Sequence, residues 1–187
     1  MEILKITAAD LDENGFYIGK ADVPNFAGHV EIAADLGWVR FKAALRAAGY
    51  IRALAGSGIE AGLGISAGED IEAGWGINAG SYINAGEGIK AGCGIKAGSY
   101  INAGSGISAG EDIEAGWDIN AGLGIKAGLG ISAGLSISAT FVSTPTRIFA
   151  GLCLWRFPTA EETQIRAEIR SGTVAFGEVV PPQPHSA

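Results

Sequence analysis

Residues 65–82 read ISAGED-IEAGWG-INAGSY and contain three copies of one six-residue pattern. The unit, Ile-x-Ala-Gly-x-x, begins at Ile59, and its isoleucine returns every six residues until Ile137. The last copy alone replaces the glycine, with Thr140. Less regular copies, with two extra residues inserted before Ile59, come earlier in the chain at Val39, Leu45 and Ile51. The repeat decides the fold, because a fixed period of this kind is typical of stacked structural units.

The six-residue period indicates short strands. It fits neither the 3.6-residue turn of an α-helix nor a heptad. In a strand, residues two apart point to the same side, so the isoleucine and the alanine of each unit share one face. The glycine that follows offers the backbone freedom needed to turn a corner. The sequence therefore predicts a β-solenoid in which each unit forms one side of a coil.

The residue after each isoleucine indicates how many units complete a coil, because like side chains stack and opposite charges pair between neighbouring strands. At a spacing of 18 residues, Glu72 lies beside Lys90 and Tyr82 lies beneath Tyr100. At the same spacing one column becomes an amide ladder flanked by serines, namely Ser66, Asn84, Asn102, Asn120 and Ser138. A two-sided coil, with neighbours two units apart, gives no such ladder. We therefore predict an all-β protein, a three-sided parallel β-helix with 18 residues per coil.

The repeat resembles the left-handed parallel β-helix of the hexapeptide-repeat superfamily. Residues 61–66, AGLGIS, follow that family's aliphatic-Gly-x-x-small-x rhythm, although alanine takes the usual large position and isoleucine the usual small one. The tract is also similar to Ile-x-Ala-Gly repeat proteins of phages and prophages, as in EAGWGINAG at residues 72–80. The superfamily resemblance covers residues 39–139. It implies a solenoid fold, and it brings acyltransferases and zinc enzymes into consideration as relatives.

The flanks of the repeat suggest caps for the two ends of the solenoid, whose strands would otherwise lack partners. We predict an N-terminal cap over residues 1–38 and the β-helix over residues 39–139. Residues 140–180 then form a C-terminal cap or an interaction or dimerisation segment, and residues 181–187 form a disordered, proline-rich tail. The same corner position on three consecutive sides carries an apolar ring, which predicts a contact with the cap or with a second subunit, at Leu123, Leu129 and Leu135.

Histidine is the residue that the related enzymes use as general base or as zinc ligand. This chain contains only His29 and His185, both outside the repeats. Acyl transfer is left with one candidate, His29, for which a surface or cap position is the simpler interpretation. Cys93 and Cys153 do not form a Cys-x-x-Cys pair, and we interpret them as reduced thiols. We predict no catalytic residues, no metal site and no cofactor.

The variable positions of the repeat carry most of the charge. Of the net charge of −7, residues 55–139 contribute −6, from nine acids and three bases. Two nearly identical segments, 68–75 and 110–117, concentrate the acids and end in tryptophan. Aromatic residues dominate protein–protein hot spots. The residues predicted to bind a partner are Glu69, Asp70, Glu72, Trp75, Tyr82, Glu87, Tyr100, Glu111, Asp112, Glu114 and Trp117.

These features predict a non-enzymatic interaction protein that presents an acidic, aromatic surface to a protein partner. The similarity to phage proteins extends this to an inhibitor of a host nucleic-acid-handling defence complex, of the anti-CRISPR or anti-restriction type. The alternatives are a self-assembling scaffold or virion component, which would make the chain a homo-oligomer, and a hexapeptide-repeat acyltransferase. The negative charge argues against direct binding to nucleic acid or to anionic membranes. With no apolar run long enough to span a bilayer and no signal-peptide pattern, we expect a cytoplasmic protein, in a bacterial host if it is encoded by a phage.

Overall fold

The computed structural model describes residues 1–182 as a parallel β-solenoid of about eight coils. Its 21 strands form one continuous sheet. Within the described residues, helical structure is limited to three short 3-10 helices, at Ala8–Asp10, Val23–Asn25 and Glu161–Thr163. The predicted all-β class is confirmed.

The strands are mostly three residues long, as expected for one strand per six-residue unit. They are β1 (Ile3–Ile6), β2 (His29–Ile32), β3 (Gly37–Phe41), β4 (Leu45–Ala47), β5 (Ile51–Ala53), β6 (Ser57–Ala61), β7 (Ile65–Ala67), β8 (Ile71–Ala73), β9 (Ile77–Ala79), β10 (Ile83–Ala85), β11 (Ile89–Ala91), β12 (Ile95–Ala97), β13 (Ile101–Ala103), β14 (Ile107–Ala109), β15 (Ile113–Ala115), β16 (Ile119–Ala121), β17 (Gly124–Ala127), β18 (Ile131–Ala133), β19 (Ile137–Ala150), β20 (Gln164–Phe176) and β21 (Glu178–Val180).

Within the regular repeat each strand pairs in parallel with the strands three positions before and after it. Ile83, for example, pairs with Ile65 in the coil before it and with Ile101 in the coil after it. This register confirms the three-sided coil of 18 residues. We call the three sides face A (β1, β2, β5, β8, β11, β14, β17 and the middle of β19 and β20), face B (β3, β6, β9, β12, β15, β18 and the ends of β19 and β20) and face C (β4, β7, β10, β13, β16, the starts of β19 and β20, and β21).

The isoleucines and alanines of the repeat fill the interior. All fourteen repeat isoleucines are at most 1% exposed, and their alanines are at most 8% exposed. Each regular coil therefore contributes one buried Ile–Ala pair from each of its three faces, stacked directly on the pairs of the coils before and after it. Parallel sheets are normally buried by other parts of the protein. Here the inward side chains of every strand pack against one another and form one continuous core.

The repeat glycines are needed for a different reason from the one that the sequence suggested. Within the described residues the glycines with positive φ all lie outside the Ile-x-Ala-Gly corners, so these corners do not use a left-handed backbone. A Cβ atom on Gly104 would instead lie only 2.1 Å from the carbonyl oxygen of Gly86, one coil earlier. Only a residue without a side chain permits this approach of backbone to backbone.

The parallel stack begins before residue 39, where the repeat predicted its first coil. Strand β1 pairs with β2, and β2 pairs with β5, so residues 1–38 contribute strands to face A as well as covering the end. The repeat pattern does not predict these strands, because the residues that pair between them are separated by unequal lengths of chain. Leu4 pairs with Val30, and Val30 pairs with Ile51. The two-residue insertion before Ile59 falls between β5 and β6, around the positive-φ Gly56.

The stack also continues after residue 139, through the segment predicted to be a cap or an interaction segment. Strand β19 runs along all three faces and pairs with β16, β17 and β18. Strand β20 pairs along β19 with several register shifts, and β21 pairs with the start of β20. Of the predicted disordered tail, residues 181–182 carry no regular structure, and residues 183–187 lie outside the described residues.

Candidate interaction surfaces

The two acidic segments that end in tryptophan lie on different sides of the solenoid. The second segment follows the first by two full coils and one further side. Trp75 consequently lies at the corner between faces A and B, stacked on the same corner as Cys93, whereas Trp117 lies at the corner between faces B and C. Their exposed fractions are 41% and 44%. The structure does not bring the two predicted anchors together.

Two of the predicted partner-binding aspartates bond to the backbone of the next coil. Asp70 Oδ1 accepts the N–H of Gly88 at 2.8 Å, and Asp112 Oδ1 accepts that of Gly130 at 2.7 Å. Asp118 makes the same contact with Ser136. An ionised carboxylate that accepts a backbone N–H forms a stronger than usual hydrogen bond. These carboxylates therefore have a structural role at the corners.

Two of the predicted glutamates form ion pairs along the faces. Glu72 accepts a hydrogen bond from Nε of Arg52 at 2.8 Å on face A, and Glu114 lies 2.8 Å from Nζ of Lys96 on face B. Face A alternates in sign over five rungs, in the order Lys5, Glu31, Arg52, Glu72 and Lys90. Basic side chains thus neutralise these glutamates locally, which weakens the acidic character predicted for the surface.

Three glutamates at the corners remain as candidates for contact. Glu69 and Glu87 follow each other at the corner between faces C and A, where the N–H of Glu87 bonds to the carbonyl of Glu69. Glu111 lies at the corner between faces A and B. Of the three, only Glu69 has a basic side chain within ion-pair distance among the described residues, since its carboxylate lies 3.8 Å from His29.

His29, the one candidate for acid–base catalysis within the described residues, is held by its neighbours. Its Nδ1 accepts the N–H of Tyr50 at 3.1 Å, and its ring stacks on the Tyr50 ring with centroids 4.1 Å apart. Hydrogen bonding to Glu31 raises the pKa of that tyrosine. The contacts give His29 a structural role in joining the first coils.

The polar ladders predicted from the register of the coils are present. The amide of Asn102 donates to Asn84 at 3.2 Å, and that of Asn120 donates to Asn102 at 3.0 Å. The rings of Tyr82 and Tyr100 stack with centroids 5.6 Å apart. The amides bond to one another along face C, while the Tyr82 hydroxyl, at the corner between faces B and C, accepts hydrogen bonds from Arg46.

The leucine ring is only partly covered. Leu135 is buried, while Leu123 and Leu129 remain about half exposed. What covers the ring is β19 and the residue that follows it, because the carbonyls of Leu123 and Leu135 accept backbone N–H groups from Thr140 and Gly151. Two further coils follow the ring, so it does not lie at the end of the solenoid as the sequence suggested.

A shallow groove of about 510 Å³ follows the corner between faces C and A. Its floor is formed by three corner glycines that lack side chains, Gly88, Gly106 and Gly124. Asp70 lines it near the first of these glycines, and Phe141 lies against the last one. The groove is open to solvent and holds charges of both signs, so it does not resemble an enclosed catalytic pocket.

The loop between β19 and β20, residues 151–163, carries exposed side chains that were not among the predicted contacts. Leu154 is 93% exposed, Phe157 is 98% exposed, and Trp155 is 61% exposed. We call these three residues the apolar loop cluster. The three residues lie within four positions of the sequence, and exposed apolar patches commonly mark interaction sites. The sequence LCLWRFP at residues 152–158 was the available signal, since it is strongly apolar and lies outside the repeat.

An ion pair anchors the base of this loop. Both terminal nitrogens of Arg156 lie 2.6 Å from the carboxylate of Glu162, which also accepts the N–H of Thr159 at 2.8 Å. The hydrogen bonds from Arg156, followed by that from Thr159, lower the pKa of Glu162 to about 2. The loop therefore presents its apolar side chains from a fixed base.

Comparisons with protein-family models, with curated proteins and with solved structures gave no match. Within residues 1–182, no group of three or more His, Cys, Asp or Glu side chains is arranged to hold a metal ion. No helix in the same part of the chain is long and apolar enough to cross a membrane.

Proposed function

We propose that this chain is a non-enzymatic interaction protein that binds another protein, and that the apolar loop cluster is its principal contact. The supporting observation is the near-complete exposure of Leu154 and Phe157 beside Trp155. Leaving three such side chains in water costs free energy that burial in a complex would recover, at roughly 25 cal/mol per Å² of apolar surface. A matching partner has an apolar groove that accepts one or two aromatic rings.

The rigid solenoid supports this proposal because it fixes the position of the loop. Residues on both sides of the loop belong to paired strands, β19 and β20. A pre-organised contact loses less entropy on binding than a flexible one. Arg156 lies between Trp155 and Phe157 in the sequence, and its ion pair with Glu162 holds the backbone that carries the cluster.

The corner side chains of the repeat are secondary contacts in this proposal. Trp75 and Trp117 lie on different corners, so a single partner of ordinary size meets one of them more readily than both. The nucleic-acid-handling complex considered from the sequence remains one class of partner. The local pairing of Glu72 and Glu114 with basic side chains lowers the support for imitation of a nucleic-acid backbone.

Affinity capture from a bacterial lysate tests this function, with quantitative binding to any captured protein as the readout. The test variant replaces the cluster by serine (L154S, W155S and F157S), and the matched control is L63S, which changes a half-exposed leucine at a repeat corner. We expect the triple variant to lose at least about 30-fold in affinity, since single hot-spot residues are worth about 2 kcal/mol or more. The control should bind like the unaltered protein.

A third variant separates the acidic corners from the loop. E69Q, E87Q and E111Q together remove three corner charges without touching the loop cluster. A loss confined to this variant, with the triple serine variant unaffected, would move the contact to the repeat and contradict the proposal. Failure to capture any stoichiometric protein would contradict it as well.

A further inference from the structure

The last turn of the solenoid ends in an uncovered layer of core residues. Ile169, Val174 and Val179 point inward on faces A, B and C, five residues apart, and pair with core residues of the preceding strands. Val179 is 48% exposed, although its partner Ile165 on the same face is fully buried. The core position on face C is therefore closed at Ile165 and open one rung later, at Val179.

The backbone at this end is also unpaired. Within the described residues, no strand follows β20 on faces A and B, and none follows β21 on face C. The last turn thus offers three parallel strand edges arranged around a triangle. Exposed edges of this kind are templates for pairing with another chain. A molecule that covered this end would pair with strand edges on three sides and pack apolar side chains at the centre.

The opposite end of the solenoid cannot supply such a layer. There, Ile6 is fully buried even though it lies in the first strand. Tyr17 packs against Phe41, with ring centroids 5.7 Å apart, and Phe26 packs against the core. On faces B and C the first coil contributes only isolated bridges instead of strands, so that end is closed by bulky side chains.

We propose that two copies of this chain associate end to end through their last turns, in a two-fold symmetric dimer. A second copy offers the required three edges and apolar layer, and the closed first coil prevents head-to-tail growth into a filament. On face A of the last turn, Glu168 and Arg170 pair with each other at 3.3 Å, so this face brings no net charge to the contact between two copies.

The dimer does not depend on the proposed function, but it would change how the apolar loop cluster binds a partner. Two-fold pairing places two apolar loop clusters in one particle. A bivalent particle can bind a partner with two matching sites more tightly than either loop alone, if the geometry allows both contacts at once. Symmetric pairing of identical surfaces is the commonest form of homo-oligomer.

Light scattering coupled to size-exclusion chromatography tests the dimer. At about 100 μM, well above a micromolar dissociation constant, we expect a mass of about 38 kDa, twice the 19.0 kDa of one chain. Val179→Lys places a charge in the exposed layer and should give a 19.0 kDa monomer. The control, Leu63→Lys, adds the same charge at a half-exposed corner and should remain dimeric.

Hydrogen exchange shows whether V179K remains folded. Amides of the regular coils should keep their protection in the variant, while those of residues 168–180 should exchange faster than in the unaltered protein. A monomeric unaltered protein would overturn the proposal, as would higher oligomers or a dimer that persists in folded V179K. The triple variant with L154S, W155S and F157S changes only the loop, so it should remain dimeric. The dimer and the proposed function can therefore be contradicted separately.

Discussion

The regular coils and the last turn are built on the same parallel ladder, yet they differ in how completely they are closed. In the regular coils each isoleucine is covered by a coil on either side and is at most 1% exposed. In the last turn, Val179 and Phe176 are about half exposed. Stability in a solenoid is close to a sum over neighbouring units, so a unit with one neighbour is held by roughly half of the contacts.

The regular coils and the last turns also differ in how many of their side chains and strand edges already have partners within the chain. In the regular coils the aspartates bond to backbone N–H groups and the glutamates of the faces pair with basic side chains. The last two turns and the loop between them leave apolar side chains and strand edges exposed. We infer that the repeat serves mainly as a rigid support and that recognition is concentrated where the repeat has ended.

The largest expected effect comes from a methyl group added inside a regular coil. Gly104→Ala places a Cβ atom 2.1 Å from the carbonyl oxygen of Gly86, so neighbouring coils must move apart. We expect a loss of about 3 kcal/mol in the free energy of unfolding, at the upper end of overpacking effects. Denaturant unfolding followed by circular dichroism measures the loss.

Gly106→Ala is the matched control in the same corner. Its Cβ atom would lie 3.2 Å from the carbonyl oxygen of Gly124, which requires only a small adjustment. The change in the free energy of unfolding should stay below about 1 kcal/mol in either direction. Equal losses in both variants would show that the corner glycines are needed for backbone conformation, as the sequence suggested, instead of for the close approach of coils.

The next comparison is between a core residue of a regular coil and one of the last turn, and the expected difference between the two variants is smaller, about 1–2.5 kcal/mol. Ile101 is fully buried, and Ile101→Ala should lower the free energy of unfolding by about 2–5 kcal/mol. Ile169 is only partly buried, so Ile169→Ala should cost about half as much. Both are best compared in the V179K background, which removes any contribution from association. Similar losses would indicate that the last turn is as well packed as the centre.

The regular part of the fold was predictable because its physical causes are local and repeated. The spacing of isoleucine fixed the strands, and the match of Asn84 with Asn102 fixed the number of sides, which the hydrogen bonds confirm. The first and last coils were not recognised as coils, because their paired residues are unevenly spaced along the chain. Ile137 pairs with Ile165, for example, and Ile165 pairs with the much nearer Val179. Pairing at variable distances leaves no period in the sequence.

The candidate surface was harder to predict than the fold. Sequence identified exposed side chains such as Trp75 correctly, but not that Asp70 and Glu72 are engaged by Gly88 and Arg52. Such pairing depends on which residues the coils bring side by side. The apolar loop cluster, by contrast, needed no structure to be noticed, since its large apolar residues lie outside the repeat and therefore outside the periodic core.

The smallest expected effect concerns how the irregular region is held. Apolar packing in the regular coils does not depend on pH, whereas the loop is anchored by the Arg156–Glu162 pair. Because hydrogen bonds from Arg156 and Thr159 lower the pKa of Glu162 from its ordinary 4.5 to about 2, the folded loop favours the ionised carboxylate. The anchor therefore stabilises the loop fully above pH 4.5 and is lost as the pH falls through about 2.

A carbon-detected NMR titration of the Glu162 carboxyl measures this directly. We expect a midpoint near 2 in the unaltered protein. Arg156→Ala should raise the pKa towards the ordinary value, because it removes the largest cause of the shift, whereas Arg170→Ala, a matched loss of charge on β20, should leave it low. Over the same range, the amides of the loop should lose protection before those of the regular coils. An ordinary midpoint in the unaltered protein would mean that the loop is not anchored by this pair, and that its apolar side chains are not presented from a fixed base.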